Sequence, residues 1–137
     1  MPTIRHLLET ALYCDNLAAT AAFYRRLLPA TPLLVSERLC ALDAGNRTVL
    51  LLFQRGRSTR PLETVGGIVP PHDGSGPTHL AFAVDAADID AWRDRLRQLG
   101  IAVESEVTWD RGGRSLYFRD PEGRSVELAT PGLWETY

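Results

Sequence analysis

The chain is a tandem repeat of itself, and that limits what it can fold into more than any single residue does. Glu9-Thr-Ala-Leu-Tyr-Cys-Asp15 stands against His79-Leu-Ala-Phe-Ala-Val-Asp85: each is a short strand pattern closing on Asp, six residues after a potential metal ligand. Each leads into a helical pattern with an aromatic at a similar offset, Phe23 after Glu9 and Trp92 after His79. A second echo follows, with Asn46-Arg-Thr-Val-Leu50-Leu matching Gly123-Arg-Ser-Val-Glu127-Leu. Four equivalent positions result, holding Glu9, Leu50, His79 and Glu127. Glu and His are metal-ligating residue types and Leu is not. A duplicated module can bring its first and last strands around one centre.

Alternation predicts a strand over residues 7–14, with Leu8, Thr10, Leu12 and Cys14 on one side and Glu9, Ala11 and Tyr13 on the other. Asp15 or Asn16 caps a helix marked by Leu17, Ala21, Tyr24 and Leu28 and ended by Pro29 and Pro32. Residues 33–43 and 47–54 read as strands joined by the turn Asp43-Ala-Gly-Asn46. Residues 55–77, rich in Arg, Gly and Pro, read as a linker. The pattern then restarts. His79–Val84 is a strand, and Ile89, Trp92, Leu96 and Leu99 mark a helix closed by Gly100. Strands follow over Ile101–Trp109, Ser115–Arg119 and Ser125–Ala129, with turns at 111–114 and 120–123.

At 137 residues with 45% hydrophobic residues, the chain is long enough for one domain with a real core. A net charge of -2 gives no general attraction to nucleic acid or to an anionic membrane. The basic residues are all Arg. Without Lys, neither a Schiff-base mechanism nor a Walker-type phosphate loop is available. Two cysteines make no disulfide framework, and Cys14 reads as a buried thiol. No basic-then-apolar leader and no membrane-length apolar run is present, so a reducing cytoplasm is the expected compartment.

Asn16-Leu17 with Phe23-Tyr24, then His79-Leu-Ala-Phe-Ala-Val, then Tyr117-Phe-Arg-Asp-Pro-Glu-Gly123 followed by Val126-Glu127-Leu128, resemble the vicinal oxygen chelate superfamily. This is the group of the glyoxalases, bleomycin-resistance proteins and extradiol dioxygenases. The resemblance spans nearly the whole chain. It implies an α+β fold of two βαβββ modules in a curved, cup-like mixed sheet with helices outside. Residues 1–137 would form one glyoxalase-like domain: a first module over about 5–55, a linker over about 56–77 and a second module over about 78–130. It also implies ligands on the first and last strands of the modules, and a homodimer.

Strand parity supports a shared face carrying Glu9, His79 and Glu127, with alanines beside them leaving room for an ion and a substrate. One His and two carboxylates suit Mn, Fe, Co, Ni or Zn. Three protein ligands leave coordination positions open, as in catalytic sites. Glu9 and Glu127 are the expected catalytic carboxylates. Tyr13, Leu50, Tyr117 and Arg119 are the expected substrate contacts, with Leu50 sharing the site face with Leu52 and Gln54. Arg111 and Arg114 are weaker anion candidates. His72 reads as an ordinary loop residue, and His6 lies on the wrong parity for a ligand.

With the resemblance, these residues imply a metalloprotein, expected to be an enzyme, that polarises a small substrate with vicinal oxygens on one divalent ion. Lyase, isomerase, dioxygenase and thiol-transferase types are left unresolved, with Glu9 and the short length arguing against an extradiol dioxygenase. Leu50 argues against a glyoxalase I carboxylate set. The absence of Lys and the presence of Thr136 argue against a standard fosfomycin transferase. The alternative is a metal-free small-molecule binding or drug-resistance protein of the bleomycin-resistance kind.

Overall fold

Alternation produces the first strand, β1 (Glu9–Cys14), in which Leu12 and Cys14 are buried while Glu9 stays exposed. The computed structural model describes residues 1–137. Asn16 then caps α1 (Leu17–Leu27), its Oδ1 accepting from the Ala19 N–H at 3.0 Å. This meets one of the donors a helix start leaves orphaned. The buried stripe of α1 is Leu17, Thr20, Phe23, Tyr24 and Leu27. Ala21 and Leu28, expected on that stripe, are only half-buried because the stripe is centred one residue away.

The stretch 33–43, expected as one strand, is two: β2 (Pro32–Val35) and β3 (Leu39–Asp43). Ser36 causes the break. Its hydroxyl accepts from the Arg38 and Leu39 amides at 3.3 and 3.1 Å, turning the chain back on itself. With β4 (Val49–Gln54) the sheet order is β1-β4-β3-β2, parallel between β1 and β4 and antiparallel elsewhere.

The linker is not featureless. It holds a small exposed hairpin, β5 (Leu62–Thr64) with β6 (Gly67–Val69). Its Gly and Pro content hid the short alternation Leu-Glu-Thr. By backbone proximity the chain divides into two compact units, Met1–Ser75 and Gly76–Tyr137, with the boundary inside the expected linker.

The second unit repeats the topology. Its strands are β7 (His79–Ala83), β8 (Ser105–Thr108), β9 (Arg114–Arg119) and β10 (Ser125–Ala129), in the order β7-β10-β9-β8. Strand β8 is shorter than the expected 101–109. After a single 3-10 turn at Ala86–Asp88 comes α2 (Ile89–Gln98), which buries Ile89 and Leu96. Gly100 ends it as expected. At φ +70 it takes the left-handed conformation that lets the Ile101 amide reach the Leu96 carbonyl at 2.9 Å. Both cysteines are free and buried. No helix is long and apolar enough to cross a membrane.

The two modules are thus α+β with four-stranded sheets, as the sequence predicts. Burial is the main stabilising term in each. Residues Leu116, Phe118, Val126 and Leu128 sit almost fully buried in the second unit. Each such side chain contributes about 1.5–3 kcal/mol relative to exposure.

Candidate metal centre

Strand β10 lies between β7 and β9, so Glu127 has Ala81 opposite it on one side and Tyr117 on the other. The register also puts His79, Ser115 and Ser125 on the Glu127 face. The side chain of Glu127 is only 5% exposed, whereas that of His79 is 51% exposed. A buried carboxylate needs donors or a cation. Oε1 of Glu127 accepts from the Ser115 hydroxyl at 2.5 Å and from the Tyr117 hydroxyl at 3.0 Å. Its Oε2 lies 3.2 Å from Nε2 of His79.

The other His79 nitrogen decides what Nε2 can be. Nδ1 is 3.0 Å from the Ser125 carbonyl oxygen, which can only accept, so Nδ1 carries a proton. In neutral imidazole, Nε2 then presents a lone pair towards Oε2. Two acceptors at that distance call for a cation or a proton between them. A metal-ligating imidazole commonly has its far N–H held in this way, and here the near nitrogen faces a carboxylate. The donor set therefore fits a borderline divalent ion. The Tyr117 phenol is pushed above its ordinary 10.0, first by burial and then by its hydrogen bond to Glu127, so it remains a proton donor at neutral pH.

Glu9 begins β1 in the first unit and shares its face with Ala11 and Tyr13. The β1–β4 register adds Val49, Leu51 and Phe53 to that face. Leu50 is on the other side: it pairs with Thr10, is 1% exposed and packs in the core with Leu52. This corrects the expected parity, and the face position belongs to Leu51. The Tyr13 ring stacks on Phe53 at 5.9 Å, and its hydroxyl lies 2.7 Å from Nδ1 of His72. His72 meets Phe53 edge-on at 4.7 Å. His72, expected as an ordinary loop residue, is therefore part of this face. Burial, and then Asp73, push the Tyr13 phenol up.

Arg119 lies on the Glu127 face, but its guanidinium is clamped by Glu104 at 2.6 and 3.0 Å and also donates to the Gly123 carbonyl. Arg111 pairs with Glu135 at 2.9 Å, and Arg114 lies 3.7 Å from Asp90. The chain gathers no group of three His, Cys, Asp or Glu side chains that could hold an ion. What it does assemble is the His79–Glu127 pair, with Glu9 on the other unit. The sequence places Ser115 on the Tyr117 face without a role, and gives Trp109 none. The signal for Ser115 was its parity with Tyr117, and nothing in the sequence pointed to Trp109.

Residues 3–128 match the family described as the glyoxalase/bleomycin resistance protein/dioxygenase superfamily. The chain belongs to that superfamily. Among its glyoxalase-superfamily relatives is the metallothiol transferase FosB of Bacillus licheniformis, 28% identical over 133 residues, covering 96% of this chain and 77% of that protein. The glutathione transferase FosA of Serratia marcescens is 28% identical over 133 residues, covering 97% and 84%. Among solved structures, a lactoylglutathione lyase from Agrobacterium tumefaciens superposes with TM-score 0.87 at 36% identity, covering 98% of this chain and 99% of that one.

Proposed function

We propose that this protein is a metal-dependent enzyme of the glyoxalase superfamily, acting on a small substrate with vicinal oxygens, with His79, Glu127 and Glu9 as the ligands of one divalent ion. The observation that carries the reading is the 3.2 Å approach of His79 Nε2 to Glu127 Oε2, with Nδ1 committed to the Ser125 carbonyl. The names of similar proteins support a proposed substrate class. Those proteins are named a metallothiol transferase, a glutathione transferase and a lactoylglutathione lyase. Those names share a thiol, and we take the reaction to be formation or cleavage of a thiol adduct of a small oxygenated molecule.

When bound, the ion supplies Lewis acidity towards adjacent substrate oxygens. The rest of the chemistry belongs to this chain's own residues. Tyr117 commits its hydroxyl proton to Glu127 Oε1 and keeps an oxygen lone pair on that face that can accept a hydrogen bond from substrate. Tyr13 and Phe53 offer a flat apolar wall beside Glu9. Glu9, exposed and with no basic side chain holding it, is the carboxylate able to change roles between ligand and base. The assembly we propose is a homodimer, checked by analytical ultracentrifugation.

The first test is metal content of untagged protein purified without chelator, beside Glu9→Ala and His79→Ala. We expect about one divalent ion per chain, lost in both variants, as three protein ligands require. Failure to take up Mn, Fe(II), Co, Ni or Zn would sink the reading. It would favour a metal-free small-molecule binder, in which a protonated His79 closes the pair with Glu127 by itself.

A further inference from the structure

The hydrogen bonds behind Glu127 have a fixed direction. Trp109 Nε1 lies 2.8 Å from Ser115 Oγ, and an indole N–H only donates. Ser115 Oγ is therefore the acceptor in that contact, and its single proton is left to donate. Glu127 Oε1, at 2.5 Å, accepts it. Tyr117 gives a second proton to the same oxygen. Oε1 is thus occupied twice from behind, and Oε2 is turned towards His79. Ser115 and Glu127 are buried and Trp109 is half-buried, so water competes poorly for these contacts. The indole is anchored by its own turn, in which the Trp109 amide donates to the Gly113 carbonyl and the Gly112 amide to the Trp109 carbonyl, both at 2.8 Å.

We propose that Trp109 and Ser115 are positioning residues: a directional relay that fixes which oxygen of Glu127 meets the ion. This rests on the metal-dependent reading above. A chain of aligned hydrogen bonds strengthens each member, so Trp109 acts on Glu127 without touching it. Neither residue is one of the proposed ligands; Ser115 reaches Glu127 and Trp109 reaches Ser115. Partners that orient a ligand from behind set its affinity as the ligand itself does.

The test measures Zn²⁺ affinity by competition with a chromophoric chelator for wild type, Trp109→Phe, Ser115→Ala and Ser115→Thr, with thermal unfolding of each apo-protein alongside. Ser115→Ala should weaken Zn²⁺ binding by ~10–100-fold, the usual effect of removing such a partner. Trp109→Phe keeps a smaller aromatic ring and removes the N–H, and should weaken binding by roughly tenfold, the lower end of that range. Ser115→Thr keeps the hydroxyl and should restore most of the affinity. A second readout is the Trp109 indole N–H resonance, identified by its loss in Trp109→Phe. It should shift when Zn²⁺ binds wild type and stay still in Ser115→Ala. If Ser115→Ala does not fold, Trp109→Phe and the indole shift decide. Wild-type binding with unchanged affinity in Trp109→Phe, and no indole shift, would overturn the relay alone. No Zn²⁺ binding by wild type would overturn both the relay and the metal-dependent reading.

Discussion

Leu51 stands in the first unit where Glu127 stands in the second. The hairpins before them close alike: the Ala44 amide donates to the Thr48 carbonyl, and the Asp120 amide to the Arg124 carbonyl. Counting onward from those closures, Val49 corresponds to Ser125 and Leu51 to Glu127. The strand registers agree, since Glu9 faces Val49 and His79 faces Ser125. The repeat therefore carries an apolar residue at the fourth ligand position, but it is Leu51 that occupies it, with Leu50 turned into the core.

This register can be tested by stability. Leu50→Ala should cost about 2–5 kcal/mol, the range for a fully buried leucine. Leu51→Ala, at a half-buried position, should cost less than half as much. Urea denaturation of both variants gives the comparison, and an equal or larger loss for Leu51→Ala would refute the assignment.

Tyr117 makes a prediction at alkaline pH. Its folded-state pKa is raised above the ordinary 10.0 by burial first and the Glu127 hydrogen bond second. The contribution of such a group to stability is therefore complete below about pH 10 and is lost as pH rises through the folded value. A phenolate absorbance titration should show a late-ionising tyrosine that disappears in Tyr117→Phe. Raised values at Tyr13 and Tyr137 should persist in that variant.

Acid should act elsewhere. Glu104 is held below its ordinary 4.5, chiefly by the hydrogen bonds from Arg119. A depressed carboxylate contributes stability above its unfolded value and loses it as pH falls through the folded one. Glu104→Gln should thus be slightly less stable than wild type at neutral pH, with the difference vanishing well below 4.5. Because this pair is exposed, the neutral-pH difference should also shrink with added salt. A difference that survives at low pH would exclude the ion pair as its source.

Gly74 is required by Tyr13. A Cβ there would come within 2.6 Å of the tyrosine ring, too close for any real contact. Gly74→Ala should push the 72–74 segment away from Tyr13 and weaken the Tyr13–His72 hydrogen bond. We expect a loss of about 1–3 kcal/mol, typical of overpacking. Thermal unfolding measures it, and tyrosine absorbance should show the Tyr13 phenol ionising nearer its ordinary value.

Much of this was legible in the sequence. β1, β10 and both helices could be placed because alternation, an Asn cap and a glycine stop are local signals. The parities of Glu9, Tyr13, Tyr117 and Glu127 followed from the period of a strand. The Ser36 break was not legible, because a serine turn inside an apolar run leaves the pattern nearly intact. Leu50 was misplaced because matching letters across two turns ignores how each turn closes. Gly45, Asn46 and Arg47 all take positive φ in the first turn, a conformation the aligned letters do not show. Trp109 and His72 were invisible for a different reason: their partners Ser115 and Tyr13 lie across strand pairings or loops.

The Asp120-Pro-Glu-Gly123 turn, one of the segments that carry the family resemblance, has its own lesson. Asp120 is buried, accepts from the Glu122 and Arg124 amides, and pairs with the buried Arg124 guanidinium at 2.9 Å. The turn sets the phase between β9 and β10, so that Tyr117 arrives level with Glu127 and Ser115 two residues further along on the same face. A search keyed to this signature selects chains by the phase of one hairpin, and it is blind to the reagent that the phased residues will handle.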